Sequence, residues 1–120
     1  LLARSAKRFI VIADESKIVK NIGDNFPIPS EVHPFAWELI KNVLIKKGTG
    51  DIRINAAKDG YAITSCGNFV LDFNYAEKDT EKLNALLSQT PGIVEHGIFY
   101  NLAHGALISN NGKVREIWKN

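Results

Sequence analysis

The chain has 120 residues, of which 45% are hydrophobic and 23% charged, a balance that fits a folded domain and excludes a disordered one. Fifteen basic against 13 acidic residues leave a net charge of +2. No dense basic block stands out, which argues against nucleic acid as the main partner. The single cysteine, Cys66, excludes an intrachain disulfide and a cysteine-rich zinc site and suits a reducing cytosol. No apolar run approaches the roughly 20 residues of a membrane helix. Met is absent and Leu1 stands first, so the chain reads as cut from something longer.

Residues Leu1 to Lys7 read as the last turns of a helix. Phe9 to Ala13 form a continuous apolar run, the pattern of a strand buried between two layers of a parallel α/β sheet. The connector Lys20 to Pro29 is rich in Gly, Asn, Asp and Pro. A short strand is expected over Ile28 to His33, then a helix opened by Pro34. Trp37, Ile40, Val43 and Leu44 recur on that helix, with Gly48 as its C-cap.

Ile52 and Ile54 alternate with polar residues as a half-buried strand. Lys58-Asp59-Gly60 is a turn, Ala62 to Thr64 a second extended piece, and Cys66-Gly67-Asn68 a further turn. A strand over Phe69 to Phe73 follows, then a helix begun at Asp79-Thr80 and carrying Leu83, Leu86 and Leu87. Pro91-Gly92 ends it, and Ile93 to Phe99 form another strand. The order β-α-β-β-α-β over residues 28–99 is that of a ferredoxin-like split βαβ domain. Ala106 to Ser109, the hairpin signal Asn110-Asn111-Gly112 and Val114 to Trp118 then return to the first sheet. The expected plan is residues 1–27 from the end of an α/β domain, 28–103 an inserted α+β domain, and 104–120 the returning strands.

The segment Asp14-Glu15-Ser16-Lys17 is the strongest candidate site. It follows the C-terminal end of an expected parallel strand, where open α/β sheets bind ligands, and Ser16 and Lys17 are suited to an anion. His33, His96 and His104 lack metal-ligand spacing, so no metal is expected. His96 reads as an outward-pointing strand residue. Asp72, Glu77, Asp79 and Glu81 read as charges complementing a helix start rather than as acid–base catalysts. Trp37 reads as core and Cys66 as a turn thiol without a base to activate it.

Ordered stretches over nearly the whole chain carry a more specific signal. They are Phe9-Ile10-Val11-Ile12-Ala13-Asp14-Glu15-Ser16-Lys17, Phe26-Pro27-Ile28-Pro29-Ser30-Glu31-Val32-His33-Pro34, Gly67-Asn68 with Val70-Leu71-Asp72, and Pro91 to Phe99. Together these resemble the A-type ribose-5-phosphate isomerases. The resemblance implies a cytoplasmic enzyme of the pentose phosphate pathway that interconverts ribose 5-phosphate and ribulose 5-phosphate without metal or organic cofactor. It implies a Rossmann-like α/β domain with a ferredoxin-like lid and a homo-oligomer, and neither nucleic-acid nor membrane partners. Lys17 matches the family's substrate-contacting lysine in Ala-Asp-X-Ser-Lys.

The same resemblance places the glutamate base upstream of Leu1, together with the Gly-Thr-Gly-Ser-Thr, Asp-Gly-Ala-Asp and Lys-Gly-Gly-Gly loops. No catalytic residue is expected in these 120. Ser65 and Cys66 stand where many members have Asp-Asn, a departure in a lid turn. The alternative is a stand-alone ferredoxin-like binding or regulatory module. Against it stand the absence of Met and the strand at 9–13, which is expected to find no sheet to join within these residues.

Overall fold

The computed structural model describes residues 1–120 as mixed α/β with two sheets, in two compact units: 1–20 with 99–120, and 21–98. Residues 21–27 thus group with the second unit and 99–103 with the first. No helix is long and apolar enough to cross a membrane.

The first unit contains a four-residue helix, α1 (Leu2–Ser5), and strand β1 (Ile10–Asp14), which runs into a single 3-10 turn over Glu15–Lys17. Strands β6 (Gly105–Asn110) and β7 (Lys113–Trp118) complete it. The order is β1-β6-β7, with β1 parallel to β6 and β6 antiparallel to β7. Asn111 and Gly112 both have positive φ, +48° and +78°. That is the two-residue turn whose twist matches a hairpin.

One expectation about β1 fails. It does have a sheet to join within these residues, since it pairs with β6 from Ile10↔Gly105 to Asp14↔Ser109. Within these 120 residues Ile12 of β1 is 79% exposed. The unit's helix, at four residues, is too short to cover a sheet face, so the apolar run lacks a second layer here.

The second unit follows the order β2 (Ile28–Val32), α2 (Trp37–Leu44), β3 (Gly48–Ile52), β4 (Phe69–Tyr75), α3 (Thr80–Gln89), β5 (Ile93–His96). Its four strands lie in the order β3-β4-β2-β5, and every neighbouring pair is antiparallel. Alternation sends Ile28 and Val32 of β2 and Leu71, Phe73 and Tyr75 of β4 to one face. Ile40 and Leu44 of α2 and Leu83 and Leu87 of α3, each pair four residues apart, pack in the same core. Asp79 caps α3 by accepting from the N–H groups of Glu81 and Lys82 at 3.0 and 3.2 Å.

Gly48 is not the C-cap of α2. That helix ends at Leu44 with Ile45 as its C-cap in right-handed conformation, and Gly48 opens β3. A Cβ on Gly48 would stand 1.9 Å from the carbonyl oxygen of Asn74, so glycine is required by close backbone approach to β4. Strand β5 stops at His96, three residues before the expected end at Phe99.

Leu71, fully buried on the central strand β4, is expected to lose about 2–5 kcal/mol of stability as Leu71→Ala. Gly48→Ala should destabilise more than Gly67→Ala, because Gly67 has φ +80° but open space around it, a cost of about 1–2 kcal/mol. Urea unfolding of the three variants checks both the size and the order; a milder effect at Gly48 than at Gly67 would contradict the close approach.

Candidate functional site

Strands β1 and β6 are parallel, so their C-terminal ends lie at the same sheet edge, with Asp14 opposite Ser109. The apolar run ends there because Asp14 turns its side chain back on the chain. Its Oδ1 accepts from the Ser16 N–H at 3.0 Å, which fixes the first bend of the 3-10 turn. The Ile18 N–H closes that turn on the Glu15 carbonyl. Ser109 Oγ donates to Asp14 Oδ2 at 3.4 Å. The Ser16 backbone N–H, with smaller help from the Ser16 and Ser109 hydroxyls, holds the Asp14 carboxyl below its ordinary value.

Lys17 is the last residue of this turn and is exposed at the sheet edge. The structure therefore brings together Asp14, Ser16 and Lys17, the segment singled out from the sequence. It adds two groups that sequence reasoning missed, Ser109 and Arg115. The Arg115 guanidinium meets the Glu15 carboxylate with Nε to Oε2 at 3.3 Å and an Nη to Oε1 at 3.1 Å. The hairpin signal at Asn111-Gly112 could have located Arg115 opposite Ile108, but nothing local in sequence links it to Glu15.

A second polar cluster lies in the other unit and was also missed. Residues 53–68 make an excursion that doubles back, joined by bridges between Ile54 and Tyr61 and between Ile63 and Phe69. It delivers Thr64 and Asn68 to Glu31 on β2. Glu31 Oε1 accepts from Thr64 Oγ1 at 2.7 Å and from Asn68 Nδ2 at 3.0 Å. These donors, Thr64 foremost, hold the Glu31 carboxyl below its ordinary value of 4.5. The turn containing Ser65 and Cys66 is closed by Thr64, whose carbonyl accepts from Gly67 and whose hydroxyl accepts from the Cys66 and Asn68 N–H groups. Cys66 itself is an exposed free thiol.

The histidines serve the backbone. His33 Nδ1 accepts from the Phe35 N–H, His96 Nδ1 from Ile98 and His104 Nδ1 from Phe9. His96 does not simply point outward: its Nε2 lies 2.9 Å from Ser88 Oγ of α3. Asp72 also departs from its expected place at the helix start. It sits within β4 and receives Arg53 through two hydrogen bonds of 2.7 Å. No three His, Cys, Asp or Glu side chains converge in a manner that could hold a metal ion.

With this geometry in hand, the likeness to known proteins is specific. The family model described as Ribose 5-phosphate isomerase A (phosphoriboisomerase A) matches residues 1–113. A ribose-5-phosphate isomerase A of Prochlorococcus marinus (strain MIT 9211) is 37% identical over 126 residues, covering 99% of this chain and 53% of that protein. One of Methanosarcina acetivorans is 41% identical over 119 residues, covering 98% and 50%. The solved ribose 5-phosphate isomerase A of Methanocaldococcus jannaschii superposes with a TM-score of 0.91 at 34% identity, over 98% of this chain and 52% of that one. A D-ribose-5-phosphate isomerase in complex with phospho-erythronic acid also reaches 0.91, at 31% identity and the same coverage. The chain spans about half the length of the curated relatives it matches.

The Glu31 carboxyl is expected to titrate below 4.5 by NMR, and Thr64→Val should move it back up. A depressed carboxyl contributes stability that is present above pH 4.5 and is lost as pH falls through the folded-state value. Thr64→Val should therefore flatten the acid side of the stability curve below that pH. An unchanged Glu31 titration in the variant would contradict the assignment.

Proposed function

The chain belongs to the ribose 5-phosphate isomerase A family, and from that premise we propose that it is the C-terminal part of an aldose–ketose isomerase interconverting ribose 5-phosphate and ribulose 5-phosphate. The observation that carries the reading is the capped turn at the end of β1, which puts Lys17 at the C-terminal edge of a parallel strand pair. Such edges are where α/β sheets bind ligands.

In the isomerisation a carboxylate takes the proton from C2 of the open-chain aldose, an enediolate forms, and the proton is returned at C1 while the hydroxyl proton passes from O2 to O1. Negative charge grows on the sugar oxygens as the proton leaves, and a cation already in place stabilises it without reorganisation. Lys17 supplies that cation or binds the phosphate. The base belongs to the part of the enzyme preceding Leu1. Among the carboxyls of this chain, Asp14, Glu31 and Asp51 are held below their ordinary values by the donors around them, which makes them poorer proton acceptors. The chemistry needs no metal or organic cofactor.

We read the first unit as the end of a Rossmann-like domain, supported by the parallel β1–β6 pair. The second is read as a ferredoxin-like lid, supported by its βαββαβ order and antiparallel sheet. The partners are a sugar phosphate, the preceding part of the same enzyme, and further copies in a homo-oligomer. The free thiol of Cys66 fits a cytoplasmic setting.

The 120-residue chain by itself should produce no ribulose 5-phosphate above background. In the complete enzyme, losing a hydrogen bond to a charged group costs about 1.5–3 kcal/mol, so Lys17→Ala should lower kcat/KM about ten- to a hundredfold. Its melting temperature should not change, since Lys17 is exposed. A loss confined to KM would assign Lys17 to the ground-state phosphate, and a fall in kcat to the enediolate. Wild-type kinetics in Lys17→Ala would remove the residue from the site.

A further inference from the structure

We propose that Arg115 is a positioning residue for the reaction, tying the turn that carries Lys17 to the β6–β7 hairpin through Glu15; the inference rests on the reading of Lys17 as substrate-binding.

The sheet register makes the link possible. Ala13 of β1 is partnered with Ile108 of β6, and Ile108 with Arg115 of β7. Partnered side chains lie on one face, so Arg115 starts two strands away from β1, roughly 10 Å. Its long side chain spans that distance past Ile108 and meets Glu15, the first residue of the 3-10 turn. Glu15, Ile108 and Arg115 line one cavity of about 390 Å³ beside the turn.

The planar guanidinium presents two nitrogens to the two carboxylate oxygens, at 3.1 to 3.3 Å. Such a fork fixes orientation as well as distance, which a single ammonium contact does not. Glu15 is two positions before Lys17, and its carbonyl closes the turn by accepting from Ile18. Asp14, one position earlier, receives Ser109 from β6. The base of the turn is therefore tethered from both strands of the hairpin, by Ser109 at Asp14 and by Arg115 at Glu15.

Both members of the Arg115–Glu15 pair are about half exposed, 53% and 40%. An exposed ion pair adds little to folding stability. Its value lies in geometry: a flexible lysine contributes to a transition state in proportion to the time it spends in place, and small misplacements are costly in rate. A kinetic loss without a stability loss is therefore the signature that separates positioning from mere scaffolding.

The test uses the complete enzyme with ribose 5-phosphate. Arg115→Ala should lower kcat/KM about three- to tenfold with an unchanged melting temperature. Glu15→Gln, which keeps the side-chain shape, should reproduce that loss, and Arg115→Lys should recover part of it. In a Lys17→Ala background, Arg115→Ala should cause no further loss, because it acts through Lys17. Wild-type kinetics in Arg115→Ala, or the same fold-loss with Lys17 already removed, would overturn the proposal. Should Arg115→Ala prove unstable, Glu15→Gln decides alone: wild-type kinetics there overturn it. Wild-type kinetics in Lys17→Ala would instead sink the reading of Lys17, and this inference with it.

Discussion

Asp14 and Ser109 are 95 positions apart in sequence and are register partners in a parallel strand pair. Parallel strands cannot be joined by a tight turn, so a long connection is obligatory. Here the connection contains an entire second unit with its own core. Closing so long a segment costs only slightly more entropy than closing a short one, because the cost grows with the logarithm of length. The pairing then places two chain segments at one edge, the turn after β1 and the hairpin after β6. The contacts that reach the turn from outside it, Ser109 with Asp14 and Arg115 with Glu15, depend on that meeting.

The hairpin has its own requirement. Asn111 and Gly112 adopt positive φ, and this two-residue turn sets which residue of β7 faces which residue of β6. A slip of one residue would send Arg115 to the opposite face of the sheet. Local turn chemistry near the end of the chain thus decides whether a guanidinium can reach a carboxylate 100 positions away. The link from sequence to site passes through backbone conformation first and electrostatics second.

These dependencies explain what could be read in advance. The spacing of Leu83 and Leu87 and the turn residues at Lys58-Asp59-Gly60 and Pro91-Gly92 are local signals, and the second unit's element order followed from signals of this kind. The Asp14–Lys17 turn was legible because it follows an apolar strand directly. Gly48 was misread because a glycine after a helix has two physical uses, and only the position of β4 shows that close approach governs here. Ile12 of β1 is exposed within these residues, whose one short helix covers no sheet face, in a chain that spans about half the length of its relatives. The contacts of Arg115 with Glu15, and of Thr64 and Asn68 with Glu31, were invisible because each needs a register or a doubled-back excursion that no short window contains.

The carboxylates divide along the same line. Asp14 is held by the Ser16 N–H, Glu31 by the Thr64 hydroxyl and Asp51 by Lys41, and each is thereby favoured in its charged form. A base that removes a proton from carbon works best with a pKa raised toward the working pH, by burial away from such donors. The donors that make these groups reliable structural anchors also make them weak proton acceptors. Under the proposed function, a chain organised in this way presents a cation on a fixed turn, and the base is left to another part of the enzyme.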